Sequence, residues 1–108
     1  MSPSDKRRVR ERRYRPVMSR YDWDPEKARE NVANHGVSFD EAGTVEDDPL
    51  HRTWPDRRQL SDEARFVLVG RSREGHLLIV ITSERGPRPR IISAWRATKR
   101  ERRDYEGR

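Results

Sequence analysis

The longest apolar run in the chain, Leu77-Leu78-Ile79-Val80-Ile81, lies between His76 and the pair Thr82-Ser83 and carries no charge. In a sequence that is 31% hydrophobic and 41% charged, such a run has one natural place, the middle of a sheet with both faces covered. Its neighbours agree. Arg65 to Ser72 alternates Phe66 and Leu68 with Val67 and Val69, and the Arg73-Glu74-Gly75 turn joins it to the strand His76 to Ser83 as a hairpin. Gly86-Pro87-Arg88-Pro89 then turns the chain into a further strand, Arg90 to Trp95. A length of 108 residues allows one domain with a modest core, so this sheet is its organising layer.

The segments before and after the sheet supply helices. Arg20 to Trp23 alternates polar and aromatic residues and reads as a short first strand. Asp24 is placed as an N-cap and Pro25 at the first helical position, and the helix runs to His35 before Gly36 stops it. Ala28 and Val32 form its apolar stripe, leaving Lys27, Asn31, Asn34 and His35 to face elsewhere. Ser38 and Glu41 form a capping box, with Val37 and Ala42 as the hydrophobic staple, so a second helix spans Phe39 to Glu46. Leu50 to Trp54 reads as an edge strand between two breakers, Asp47-Asp48-Pro49 and Pro55-Asp56. Thr98 with Glu101 makes a second capping box and starts a C-terminal helix. The expected fold is α+β: a small antiparallel sheet with an N-terminal helical hairpin and a C-terminal helix, in the order β-α-α-β-β-β-β-α over residues 20–108.

Charge is unevenly distributed. The formal net charge is +6, and residues 1–20 alone account for it, with eight Lys/Arg against Asp5 and Glu11. Residues 1–19 therefore read as a disordered basic arm too poor in apolar residues to fold, and the body as neutral but polarised. Asp40 to Glu63 is acidic at −5, whereas Arg85 to Arg103 holds eight Lys/Arg against Glu101, a local +7. Arginines on a rigid strand grip phosphates in a defined geometry, because a planar guanidinium bonds two phosphate oxygens at once. That points to an RNA-cleaving or nucleic-acid-binding site.

Other chemistries are excluded. No apolar run reaches the roughly 18 residues of a membrane span, and no apolar stretch follows the basic N-terminus as in a secretory signal, so a cytoplasmic protein is expected. Zero cysteines remove disulfides, thiolate metal sites and a cysteine nucleophile, and His35, His51 and His76 are too scattered for a ligand cluster. Neither a cofactor nor a bound metal is expected.

Specific motifs go further. Asp22-Trp23-Asp24-Pro25-Glu26-Lys27, Asn31, His35-Gly36-Val37-Ser38-Phe39-Asp40-Glu41-Ala42, Asp62-Glu63-Ala64-Arg65-Phe66, Arg90-Ile91-Ile92-Ser93-Ala94 and Ala97-Thr98-Lys99-Arg100-Glu101 resemble the BrnT family. Its members are ribonuclease toxins of type II toxin–antitoxin systems, in the RelE-like superfamily. The resemblance covers residues 20–108 and implies an mRNA-cleaving toxin that blocks translation. It also implies a BrnA-type protein antitoxin as partner, through which operator DNA is bound. The basic arm lies outside the family pattern, which makes Met18 a candidate translation start. Trp95 departs from the pattern, since the family commonly has a basic residue there, and no phosphate contact is carried over to it.

Cleavage without a metal needs the 2′-hydroxyl activated, the phosphate's developing charge stabilised and the leaving 5′-oxygen protonated. Arg85 and Arg90 flank one turn and are the first choice for the phosphate clamp, with Arg65 third; Arg96 and Arg100 extend the phosphate-binding surface. A salt bridge from Arg65 to Asp62 or Glu63 is the competing structural role. Lys27, His35, Glu63 and Tyr105 are the candidate proton carriers. His35 doubles as a helix-terminal residue, and Tyr105 as an anchor of the last helix. Simple alternation places Arg90, Ile92, Ala94 and Arg96 on one face and Ile91, Ser93 and Trp95 on the other. Trp54 and Trp95 read first as packing residues and second as platforms for an unpaired base. The alternative function is a non-catalytic nucleic-acid-binding module or co-repressor, in which the same arginines hold phosphates and cleave nothing; a catalytically dead interaction partner is a third.

Overall fold

The computed structural model describes residues 20–57, 63–84 and 86–107, so the basic arm and Arg85 lie outside the described residues. Four strands, β1 (Arg52–Pro55), β2 (Arg65–Arg71), β3 (Leu77–Ser83) and β4 (Arg90–Arg96), form one antiparallel sheet in sequential order. The apolar run is β3, buried along its whole length between β2 and β4. Among the described residues three helices accompany it: α1 (Pro25–His35), α2 (Phe39–Gly43) and α3 (Lys99–Glu106).

The helix ends follow their signals. The Asp24 side chain accepts from the Glu26 N–H at 3.1 Å, Pro25 occupies the first position, and Gly36 closes α1 in the left-handed region at φ 70°. Thr98 and Glu101 form the full reciprocal box, at 3.1 and 2.8 Å. Ser38 and Glu41 do not. The Ser38 hydroxyl accepts from the Glu41 N–H, but the Glu41 carboxylate turns away to accept from Ser72 and to pair with His76.

Two further expectations change. Instead of a first strand, a single parallel bridge joins Asp22 to Arg90, because capping of α1 begins at Asp24 and leaves no room for more. The second helix is α-helical only to Gly43 and continues as a 3-10 turn, Thr44–Asp47. Glycine disfavours the helix there, and the Thr44 hydroxyl donates back to the Glu41 carbonyl at 2.7 Å.

One face of the sheet is covered by α1, α2 and the 3-10 turn. Leu68, Leu78, Val80, Ile91 and Ala94 meet Val37, Phe39, Ala42 and Val45 there, with Trp23 edge-on to Phe39 at 6.0 Å. Gly70 lets the 3-10 turn approach: a Cβ at this position would lie 2.9 Å from His51 Cβ and 3.0 Å from Val45 Cγ1. The stripe expected on α1 is rotated by one residue. Val32 is 49% exposed, whereas Asn31 is buried and its amide docks on the outer edge of β4. Asn31 Nδ2 donates to the carbonyls of Ala94 and Val37, and its Oδ1 accepts from the Ala94 N–H. The side chain thus replaces a neighbouring strand and blocks that edge to further pairing.

The other face carries Val67, Val69, Leu77, Ile79 and Ile81, packed with Ile92, Trp95, Ala97 and Tyr105. A bulge decides which residues of β4 reach it. Ile81 pairs with Ser93 but Thr82 with Ile91, so Ile92 is an extra residue in β4 and the alternation resets there. Ile91 and Ala94 therefore share the helix-covered face, and Ile92 and Trp95 the opposite one, correcting the simple two-residue alternation.

Candidate functional site

The open face ends in a row of polar residues. Ser83 on β3 pairs with Arg65 on β2 and with Arg90 on β4, and residues directly opposite one another share a face. With strands about 4.8 Å apart, the two arginine Cα atoms stand about 10 Å from each other with Ser83 between them. Ser83 is fully buried, and its hydroxyl donates to the Glu63 carboxylate just before β2. Buried Asp56 lies at the outer end of the row, its N–H donating to the Arg65 carbonyl at 2.9 Å. At the other end, the bridge from Asp22 fixes the backbone of β4, with Ile91 N–H donating to the Asp22 carbonyl at 2.9 Å. Arg90 is half-buried, forms no ion pair among the described residues, and its Nε is buried without a hydrogen-bond partner among them. Among the described residues this guanidinium is held by packing and strand position and not by a carboxylate.

Lys27 is exposed on α1, one helical turn before the buried Asn31. Two arginines and a carboxylate fixed by a serine thus meet at one end of the sheet.

The remaining candidates fall elsewhere. Arg85, and with it the expected pairing to Arg90, lies outside the described residues. Arg96 pairs with Leu78 and so points to the helix-covered face, at the far end of β4 from Arg90. Arg100 is exposed on α3, beyond that same end. His35 is exposed, with its ring 6.2 Å from that of Trp95, and is separated from Arg90 by most of the length of β4. Tyr105 donates to the Leu50 carbonyl at 2.9 Å, and burial, followed by the nearby Asp48 carboxylate, raises its pKa. That bond and an Arg71–Glu106 ion pair at 2.7 Å anchor α3 across the sheet. Ser83 escaped the sequence reading because its place opposite both arginines depends on strand register, which no local pattern carries.

A second polar group sits at the opposite end of the hairpin. Ligand atoms of Glu41, Glu74 and His76 lie within 4.8 Å of one another. His76 Nδ1 is 2.7 Å from Glu41, whose pKa burial pushes up, but the Ser72 and His76 hydrogen bonds outweigh burial and lower it. Six residues of strand separate His76 from the level of Ser83, so this group takes no part in the arginine row. Among the described residues no helix is long and apolar enough to cross a membrane.

Comparison with known proteins agrees with this fold. The chain is similar in fold to the crystal structure of the Brucella abortus ribonuclease toxin BrnT, with a TM-score of 0.57 and 21% sequence identity, over 73% of this chain and 96% of that one. Among curated proteins no sequence match is found. Residues 23–101 match the family described as "Ribonuclease toxin, BrnT, of type II toxin-antitoxin system". That stretch includes both helices of the hairpin and all four strands, and the chain therefore belongs to the BrnT family of ribonuclease toxins.

Proposed function

We propose that this ribonuclease toxin cleaves single-stranded RNA without a metal, at the row formed by Arg65, Ser83 and Arg90. The observation that carries this reading is Arg90, a half-buried guanidinium on a rigid strand that has no carboxylate partner among the described residues and stands in register with a second arginine. Fixed cations at that spacing supply the charge that a metal would otherwise bring to a phosphate in the transition state. Glu63, oriented by Ser83, takes the proton from the 2′-hydroxyl, whose oxygen attacks the adjacent phosphorus. The P–O5′ bond breaks, and the leaving oxygen takes a proton from Lys27 or from water. The products are a 2′,3′-cyclic phosphate and a 5′-hydroxyl end. Destruction of mRNA blocks translation, and a BrnA-type antitoxin neutralises the toxin and links it to operator DNA.

The test is incubation of the purified chain, and of its Arg90→Ala and Glu63→Gln variants, with a long unstructured RNA in EDTA. Cleavage by the parent, leaving 5′-hydroxyl ends, and its loss in both variants is the expected result. Activity that disappears on chelation and returns with a divalent cation would overturn the metal-free mechanism. Binding by all three proteins with no cleavage would favour the non-catalytic binding module instead.

A further inference from the structure

Beside the arginine row, the open face of the sheet forms a groove of about 720 Å³ that the reaction above leaves unused. Its floor is Val67, Val69 and Ile79, and aromatic side chains wall it on three elements: Trp54 on β1, Trp95 on β4 and Tyr105 on α3. Trp54 pairs with Val67 and so projects from the same face as the row. It is 44% exposed, which leaves a large flat apolar ring facing solvent on an edge strand. Along the strand direction Trp54 stands one two-residue repeat from the row of Arg65, about 7 Å. That is of the order of the separation between a nucleotide's base and its own phosphate. Arg52 and Arg57 add positive charge on the β1 side, next to the carboxylate of Asp56, and Glu101 and Asp104 place two more carboxylates on the α3 side.

We propose that this groove is the base-binding subsite of the enzyme, in which one unpaired nucleobase of the RNA stacks on Trp54 while its phosphate lies against the arginine row. This rests on the ribonuclease reading above. An apolar floor with aromatic walls takes any base by its π-face, and a hydrogen-bonding group at the rim then favours bases whose edges match it. The place of Trp54 on the same face as Arg65, one two-residue repeat along the strand, favours RNA as the occupant over an apolar segment of a protein.

The experiment uses the full chain and a short 2′-O-methyl oligonucleotide of mixed sequence, which lacks the attacking hydroxyl and is not cleaved. Tryptophan fluorescence quenching and affinity across a salt series are read for the parent, Trp54→Ala, Trp54→Phe and Arg90→Ala, and cleavage positions on ordinary RNA are mapped alongside. The parent should be quenched on binding, and Trp54→Ala should bind about five- to a hundredfold more weakly, the range one stacked base is worth. Trp54→Phe should restore most of the affinity, and Trp54→Ala should shift or blur the cleavage positions. Arg90→Ala should keep the quenching but lower the salt slope by about one. If Trp54→Ala binds and cuts like the parent while Arg90→Ala is inactive, the groove proposal falls and the arginine site stands. If Arg90→Ala cuts RNA normally, the arginine site falls. Quenching by no oligonucleotide, with Trp54→Ala losing affinity for the antitoxin, would overturn the proposal in favour of a protein partner.

Discussion

On the face beneath α1 and α2, Leu68, Leu78, Val80, Ile91 and Ala94 are at most 3% exposed and pack against Val37, Phe39, Ala42 and Val45. On the opposite face the same strands carry Arg65, Ser83 and Arg90 at one end and a groove with a half-exposed tryptophan beyond it. A sheet with one sealed face and one partly open face separates two tasks. The sealed side supplies cohesion, so the open side can hold charge and exposed aromatic surface that add nothing to stability. The family's RNA-cleaving chemistry then has a rigid floor without competing for the core.

Substitutions on the two faces should therefore differ in kind. Phe39→Ala, at the centre of the sealed face, should cost about 3–5 kcal/mol in a denaturant titration. A loss below about 1 kcal/mol would mean that this face is not the core. Arg90→Ala should lower the rate of RNA cleavage by about 10²- to 10³-fold, as when one fixed transition-state donor is removed. Its unfolding midpoint should stay near that of the parent, and a large drop would erase the distinction between the faces. At the border, Asn31→Ala removes three hydrogen bonds to Val37 and Ala94, and about 1–3 kcal/mol of stability should go with them. Faster amide exchange at Ala94 is its specific signature.

Gly36→Ala should cost about 1 kcal/mol, because φ at this position is 70° and an L side chain is strained there. Acid tests the polar seam between α2 and the hairpin. Glu41 and Asp48 both titrate below their ordinary values: for Glu41 burial is outweighed by the Ser72 and His76 hydrogen bonds, and for Asp48 the Arg71 N–H dominates. Groups with depressed folded pKa values add stability above their unfolded values, and that stability is lost as pH falls through the folded ones. The melting temperature should thus decline as the pH drops below about 4.5, the ordinary value for Glu41. Glu41→Gln should flatten that decline, and an unchanged acid slope would remove Glu41 from the account.

Most of the fold is legible in the sequence. The caps at Asp24, Ser38 and Thr98, the stop at Gly36, the continuous apolar strand and the turn residues are local signals, and local signals are what a linear pattern records. The first strand and the length of α2 depend on what lies alongside: Asp22 forms an isolated bridge to Arg90 in place of a strand, and Gly43 packs against Tyr21 and Ile91. The site was half legible. Arg65, Arg90 and Glu63 are visible as charges beside strands, but their grouping around Ser83 follows from register across three strands.

Sequence pattern thus sufficed for the α+β class, the hairpin around Leu77–Ser83 and the concentration of arginines in the last third of the chain, because periodicity, capping and charge act between near neighbours. Pairing register, the bulge at Ile92, the burial of Asn31 in place of Val32 and the placing of Trp54 on the face of Arg65 came from the folded arrangement. Each depends on contacts between residues far apart in the chain, and a bulge of one residue is enough to move a side chain from the core to the site.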